Sequence, residues 1–180
     1  MASSASSTPA AVRFIGYLST ISGVIASFMI LASVLITCQM IFIRAVLGQS
    51  TIWQTEAVIY LMIAATMIGL AYVQKLKGHV GVDLIPTMLG ATGRRVMAMF
   101  TLTVTALMMI LMLYYAYDMW HFAWKRGWKS ETIWAVPLWI PYLALPLGFS
   151  LFLLQLAADL WMAIRGEDIG APVAAEDRRH

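Results

Sequence analysis

The chain has 180 residues, of which 61% are apolar and only 12% are charged, whereas soluble domains carry about 45–50% apolar and about 25% charged residues. So few charges exclude a soluble domain, because they cannot cover that much apolar side chain, whereas a bilayer solvates it with lipid tails. The net charge of +3 is scattered along the chain and does not form the basic face of a nucleic-acid-binding protein.

Four long runs without charged side chains follow a short tail rich in Ser and Ala. A helix needs about 20 apolar residues to cross the hydrocarbon core, and only a helix pairs all its backbone polar groups within one such segment. We therefore predict an all-α integral membrane protein with four transmembrane helices, at about 14–45, 51–74, 95–118 and 139–163. They form a membrane domain over 13–165, between a disordered tail at 1–12 and a C-terminal tail at 166–180.

The first two spans are separated by only a few residues, which predicts antiparallel neighbours. Gly48 indicates a helix stop, and Thr51 and Gln54 match a capping box, whose side chains pair with N–H groups of the first turn. Small residues spaced four apart let helices approach closely in lipid. They occur in three of the spans, at Ser19, Gly23 and Ser27, at Ala65 and Gly69, and at Ala144 and Gly148.

The segment between the second and third spans is too short and polar to cross a membrane. Asp83 is a good N-cap residue, and the apolar residues that follow it can share one face. They are Leu84, Ile85, Met88 and Leu89. This pattern predicts a short amphipathic helix that lies in the membrane interface.

The fourth apolar run contains three prolines, and proline removes a backbone donor and clashes with the preceding turn. We expect an irregular stretch over 134–139, a long helix that begins near Trp139 to Pro141, and a bend at Pro146.

Positive charge predicts the orientation, because cytoplasmic loops carry an excess of Lys and Arg. With both termini in the cytoplasm, eight of the twelve basic residues lie inside. Six of the seven tryptophans then form an outer interfacial belt, at Trp53, Trp120, Trp124, Trp128, Trp134 and Trp139. The basic residues at 125, 126 and 129 would lie outside, against the rule.

Three motifs resemble the small permease subunit of tripartite ATP-independent periplasmic (TRAP) transporters. The second span opens with Trp-x-x-Glu, at Trp53 and Glu56. Gly69 precedes a segment similar to the family's Gly-His-[Ile/Val]-x-Val-Asp, with Gly78, His79 and Asp83. The last span is entered through Pro-x-Trp and then Pro-Leu-Gly, at Pro137, Trp139, Pro146 and Gly148. One departure is Ala57, where the family often has a second acid.

The resemblance implies a role that composition cannot show. In such transporters a large membrane subunit carries the substrate and Na⁺ sites, and a soluble extracytoplasmic binding protein delivers an organic acid. The small subunit is then a scaffold for the large one in a bacterial inner membrane. The expected partners are the large permease subunit, the solute-binding protein and membrane lipid. The ten motif residues above are then structural or contact the large subunit.

Glu56 admits three interpretations. It is a surface carboxylate near a helix N-terminus, where the helix dipole favours negative charge, or it forms an ion pair with Arg44 or the large subunit, or it couples transport to protons. His79 and Asp83 are too few for a metal site and are expected to fix a turn. Near the third span, the exposed basic and aromatic residues either anchor in headgroups or dock the binding protein through complementary charge. They are Trp124, Lys125, Arg126 and Lys129.

Rival functions lack the residues that they require. Axial haem ligation needs histidines within the spans, but all three histidines lie outside the apolar runs, and the only cysteine is Cys38. No nucleophile–base constellation or phosphate-binding loop indicates an enzyme. We therefore expect no catalytic residues, cofactor or metal. The alternative that stays open is a small homo-oligomeric proton-coupled exporter.

Overall fold

The structure is a computed structural model that describes residues 10–76, 91–132 and 134–165. Its helices are α1 (Ala10–Phe42), α2 (Ile52–Lys75), α3 (Ala91–Arg126), a short α4 (Trp139–Tyr142) and α5 (Ala144–Arg165). A π-helical turn, Ile43–Leu47, extends α1 and ends at Gly48, which has a left-handed conformation. Four helical segments of the described residues are long and apolar enough to cross a membrane, so the chain is a multi-pass, all-α membrane protein.

The helices pack as an open arrangement rather than a closed four-helix bundle. The α1 helix packs mainly on α2, α2 also packs on α5, and α5 packs on α3. Among the described residues, α3 contacts neither α1 nor α2. The helix α5 therefore lies between α2 and α3. We call the end that holds Gly16, Lys75 and Arg165 the termini end, and the opposite end the loop end.

Glycines set the closest helix approaches, as the small-residue spacing predicted. A Cβ at Gly148 would overlap the backbone carbonyl of Met67, and one at Gly23 would overlap the ring of Tyr72. At Gly69 a Cβ would lie 3.3 Å from that of Ala26. These contacts join α5 to α2 and α2 to α1. In lipid, where apolar side chains gain little by leaving the solvent, such close backbone contact is a main source of helix association.

Several boundaries differ from the prediction. The capping box is wrong, because Thr51 makes no side-chain cap hydrogen bond; its hydroxyl accepts a hydrogen bond from Arg44 Nε at 2.5 Å instead. The third helix continues past residue 118 to Arg126. The prediction ended where charged residues begin, whereas the helix continues through them, with the ring of Tyr117 stacked on that of His121.

The entry to the last span matches the expectation in part. An α-helical turn begins at Trp139, as predicted. Leu143 alone separates α4 from α5, and its backbone is also right-handed helical. Pro146 has no N–H to donate to the carbonyl four residues earlier, and the bend at Pro146 stays a prediction. The predicted interfacial helix falls on residues outside those that the structure describes.

Candidate functional site

Glu56 is buried at the loop end and anchors a neighbouring loop. Only 7% of the surface of this residue is exposed. The hydroxyl of Tyr60 donates to Oε1 at 2.5 Å, and the hydroxyl of Thr132 donates to Oε2. Tyr60 lies one turn further along α2, whereas Thr132 belongs to the loop between α3 and α4. Both carboxylate oxygens are thus occupied by hydrogen bonds that hold this loop against α2.

Of the three interpretations of Glu56, one needs correction and another is corrected in part. A surface carboxylate is wrong, because the residue is buried. An ion pair with Arg44 is also wrong, because the guanidinium of Arg44 donates to the hydroxyl and the carbonyl oxygen of Thr51. Residues 44 and 51 lie on either side of the turn between α1 and α2. Arg44 therefore stabilises that turn, and the partners of Glu56 are the hydroxyl groups of Tyr60 and Thr132.

The loop that Glu56 holds has a defined backbone. Ser130 N–H donates to the Val136 carbonyl at 2.8 Å, and Leu138 N–H donates to the Trp128 carbonyl at 2.8 Å. Between these bonds, Lys129 and Pro137 form an isolated antiparallel bridge. Pro137, one of the motif residues, therefore helps to fold the loop back on itself. We call this segment, 128–132 and 134–138, the hairpin. Apart from the isolated bridge it has no regular secondary structure, in agreement with the irregular stretch that the prolines predicted.

Aromatic rings join this hairpin to the helices. Trp53 meets Trp134 edge to face at 6.0 Å between ring centroids, and Trp124 meets Trp139 at 4.7 Å. Edge-to-face pairs at such distances are favourable beyond the area that they bury. The motif residues Trp53 and Trp139 thus lie at the loop end with Glu56 and Pro137. The structure brings these four together around one loop.

The predicted docking residues form an exposed surface beside the hairpin. Lys125, Arg126 and Lys129 are exposed, and the guanidinium of Arg126 lies over the ring of Phe122 at 4.3 Å. Phe122 also packs edge to face against Trp128 at 4.9 Å. These basic side chains therefore lie beside aromatic rings that pack against one another. We call Trp124, Lys125, Arg126 and Lys129 the basic patch.

A second polar cluster, at the termini end, was missed by the sequence reasoning. Asp159 is 4% exposed, and its two carboxylate oxygens accept hydrogen bonds from Gln74 Nε2 at 2.9 Å and Gln155 Nε2 at 3.0 Å. The Oε1 atom of Gln155 accepts a hydrogen bond from Ser19 at 2.7 Å. We call Ser19, Gln74, Gln155 and Asp159 the polar lock, since they join α1, α2 and α5.

Lys75 completes the connection between α2 and α1. Its ammonium donates to the Gly16 carbonyl at 2.9 Å and to the Thr20 hydroxyl at 2.7 Å. The signal in the sequence was available. Polar residues at the ends of apolar helices that face one another across a bundle are usually paired. Asp159 falls within the predicted span at 139–163, but a single segment does not show which helices its side chain faces.

The other motif residues lie at contacts between helices or outside the residues that the structure describes. Gly69 and Gly148 lie at helix contacts, as described above, and Pro146 is buried in α5. Gly78, His79 and Asp83 lie outside the described residues. Among the residues that the structure does describe, no group of three or more His, Cys, Asp or Glu side chains could hold a metal ion.

Comparisons with known proteins agree with this architecture. The family described as "Tripartite ATP-independent periplasmic transporters, DctQ component" matches residues 33–166, which is more than half of the chain. The chain is also 23% identical, over 162 residues, to the C4-dicarboxylate TRAP transporter small permease protein DctQ of Vibrio cholerae. That alignment covers 78% of this chain and 70% of the relative. The chain therefore belongs to the DctQ family, the small permease subunits of TRAP transporters.

Proposed function

We propose that this small permease subunit is a non-transporting scaffold for a large permease subunit, in Na⁺-driven uptake of an organic acid that a binding protein delivers. One observation supports the scaffold role above others. The two buried carboxylates, Glu56 and Asp159, have both oxygens engaged by side chains of this same chain. Hydrogen bonds within the chain thus reach every oxygen of the two carboxylates, which supports a structural role for both.

A large uncovered helix face supports the partnership. Only 6% of the most apolar stretch of α3 is buried within the chain. Its exposed side chains include Phe100, Leu107 and Tyr114. A larger membrane subunit could pack on this face without disturbing the contacts among α1, α2 and α5. The family membership supports a large permease subunit as the partner and disfavours the exporter alternative.

The substrate class rests on the resemblance and on the relative from Vibrio cholerae, which is named for C4-dicarboxylates. For this chain we propose an organic acid. We place the chain itself in the bacterial inner membrane with both termini in the cytoplasm, on the basis of the charge distribution. The loop end then faces the binding protein. Enzymatic activity, a cofactor and a metal have no part in this proposal.

Affinity purification from the native membrane tests the partnership. In mild detergent the tagged full chain should bring down a much larger polytopic membrane protein. Recovery of a homo-oligomer without a large partner would contradict the proposal.

Gly78 offers a specific variant, because the family motif implies a turn there. Replacing it with a bulky residue should reduce recovery of the large protein if that turn needs a positive φ.

The basic patch provides a contact surface for the binding protein. Complementary charge across an interface mainly raises the association rate. Reversing the charge of Lys125, Arg126 and Lys129 should therefore slow uptake at low binding-protein concentration and leave it nearly unchanged at saturation. Arg165→Glu, at the termini end, is the control. Equal uptake by the triple variant and the control at low concentration would contradict docking and favour headgroup anchoring.

A further inference from the structure

The basic patch spans two elements of the chain. Lys125 and Arg126 lie in the last turn of α3, whereas Lys129 belongs to the hairpin. Between them, Gly127 has a left-handed conformation, with a φ of 59°, which lets the chain turn away from the helix axis. The distances among the three charges therefore depend on how the hairpin is held.

The end of α3 fixes the start of the hairpin. The N–H groups of Gly127 and Trp128 donate to the carbonyls of Trp124 and Ala123, both at 3.2 Å. This pair of hydrogen bonds is typical of a helix that ends at a left-handed glycine. The accompanying apolar contact is present as well, since the ring of Trp128 packs edge to face on that of Phe122. All of these contacts lie on the α3 side of the hairpin.

The Trp-x-x-Glu motif ties the far part of the hairpin to α2. The hydroxyl of Thr132 donates to Glu56 Oε2, and the ring of Trp134 packs edge to face on that of Trp53. Residues three apart lie on the same side of a helix, so Trp53 and Glu56 reach the hairpin together. Tyr60 donates to the other carboxylate oxygen of Glu56 and so fixes the orientation of the carboxylate.

Lys129 lies between the α3 attachment and the α2 attachment. It pairs with Pro137 across the hairpin, so it moves with the hairpin backbone. In the described residues α2 and α3 make no direct contact, so their own packing does not hold the hairpin in place. Without the hydrogen bond from Thr132 the hairpin can rotate about Gly127, and Lys129 then changes its distance from the two charges of α3.

We propose that Glu56 is a positioning residue for docking of the binding protein, because through Thr132 it fixes Lys129 relative to Lys125 and Arg126. This inference rests on the docking role proposed for the basic patch. Complementary charges across an interface raise the association rate, and a surface that must be ordered during binding loses affinity. The buried carboxylate thus assists docking without contact with the binding protein.

Thr132→Val tests the proposal, because it removes the hydroxyl donor and nearly keeps the shape of the side chain. Thr132→Ser keeps a hydroxyl and is the rescue control. Each variant is assembled with the large permease subunit in vesicles, and Na⁺-driven uptake is measured against binding-protein concentration. For Thr132→Val the half-saturating concentration should rise about three- to tenfold, with the maximal rate unchanged. Thr132→Ser should restore the wild-type value.

Salt gives a second readout. At about 1 M KCl the Debye length falls to about 3 Å, so the difference between Thr132→Val and wild type should shrink. A loss of folded complex would instead lower the maximal rate at every salt concentration, and that result would overturn the positioning role. If Thr132→Val does not assemble with the large subunit, Thr132→Ala replaces it.

Charge reversal of Lys125, Arg126 and Lys129 distinguishes the two ways in which the inference can fail. If this triple variant raises the half-saturating concentration and Thr132→Val does not, docking stands and the positioning role of Glu56 is wrong. If neither variant changes it, docking at the basic patch is wrong as well. A rise in both, restored by Thr132→Ser, is the result that the proposal predicts.

Discussion

The helices α3 and α5 have nearly the same hydropathy but opposite environments. In the most apolar stretch of each, 44% of the residues of α5 are buried, against 6% of α3. The difference lies in small and polar side chains. Gly148, Gln155 and Asp159 let α5 approach α2 and α1 and bond to them. Hydropathy therefore identifies a span, whereas small and polar residues show which span is central.

The largest expected effect comes from filling the closest contact of α5. Gly148→Leu should prevent correct packing, because even a Cβ at this position overlaps the Met67 carbonyl, and a backbone group cannot move aside as a side chain can. We expect little or no monodisperse protein in detergent. Gly16→Leu is the control, since a Cβ there meets only the flexible end of Lys75, at 3.7 Å. Similar yields of the two variants would contradict the packing described.

The second-largest effect is expected when side-chain volume is removed from α5, compared with the same change in α3. Leu156 of α5 is 2% exposed and Leu107 of α3 is 68% exposed. Truncating a buried leucine to alanine costs about 2–5 kcal/mol of the free energy of unfolding, whereas an exposed position changes it by roughly 0.5 kcal/mol or less. Thermal unfolding of Leu156→Ala and Leu107→Ala in the same detergent measures the gap. Equal midpoints would show that α5 is not the central helix.

The polar lock should give a smaller loss. In Asp159→Leu both acceptor oxygens disappear, and the amide groups of Gln74 and Gln155 lose the acceptor that they share. Leaving buried donors unsatisfied costs about 1–3 kcal/mol. Asp118→Leu, on the exposed side of α3, is the control. The midpoint of unfolding should fall for the first variant and not for the second, and the reverse order would argue against the lock.

The smallest effect is expected at Glu56, because its partners are a loop hydroxyl and a hydroxyl on its own helix. Glu56→Gln keeps one acceptor and should lower the free energy of unfolding by about 1 kcal/mol. We expect the loss of stability mainly in the hairpin. Trypsin cleavage after Arg126 and Lys129 should become faster as the hairpin opens. Glu131→Gln changes an exposed acid in the same loop and serves as the control. Unchanged cleavage in the Glu56 variant would mean that Thr132 is held by other contacts.

The sequence predicted much of this fold, for identifiable reasons. Spans follow from local apolar runs, and close helix contacts follow from glycine spacing, so both could be predicted. The motif residues Trp53 and Trp139 each pack against another tryptophan at the loop end. The partner of Glu56 in the hairpin could not be predicted, because it depends on which loop folds over α2. The polar lock depends on the rotation of three helices, which no single segment specifies.

Uptake by reconstituted vesicles tests the central claim most directly. Vesicles that contain this chain alone, with a Na⁺ gradient, a binding protein and an organic acid that the binding protein carries, should show no uptake. Adding the large permease subunit should establish it. Na⁺-driven uptake by the chain without any other membrane protein would contradict the scaffold role.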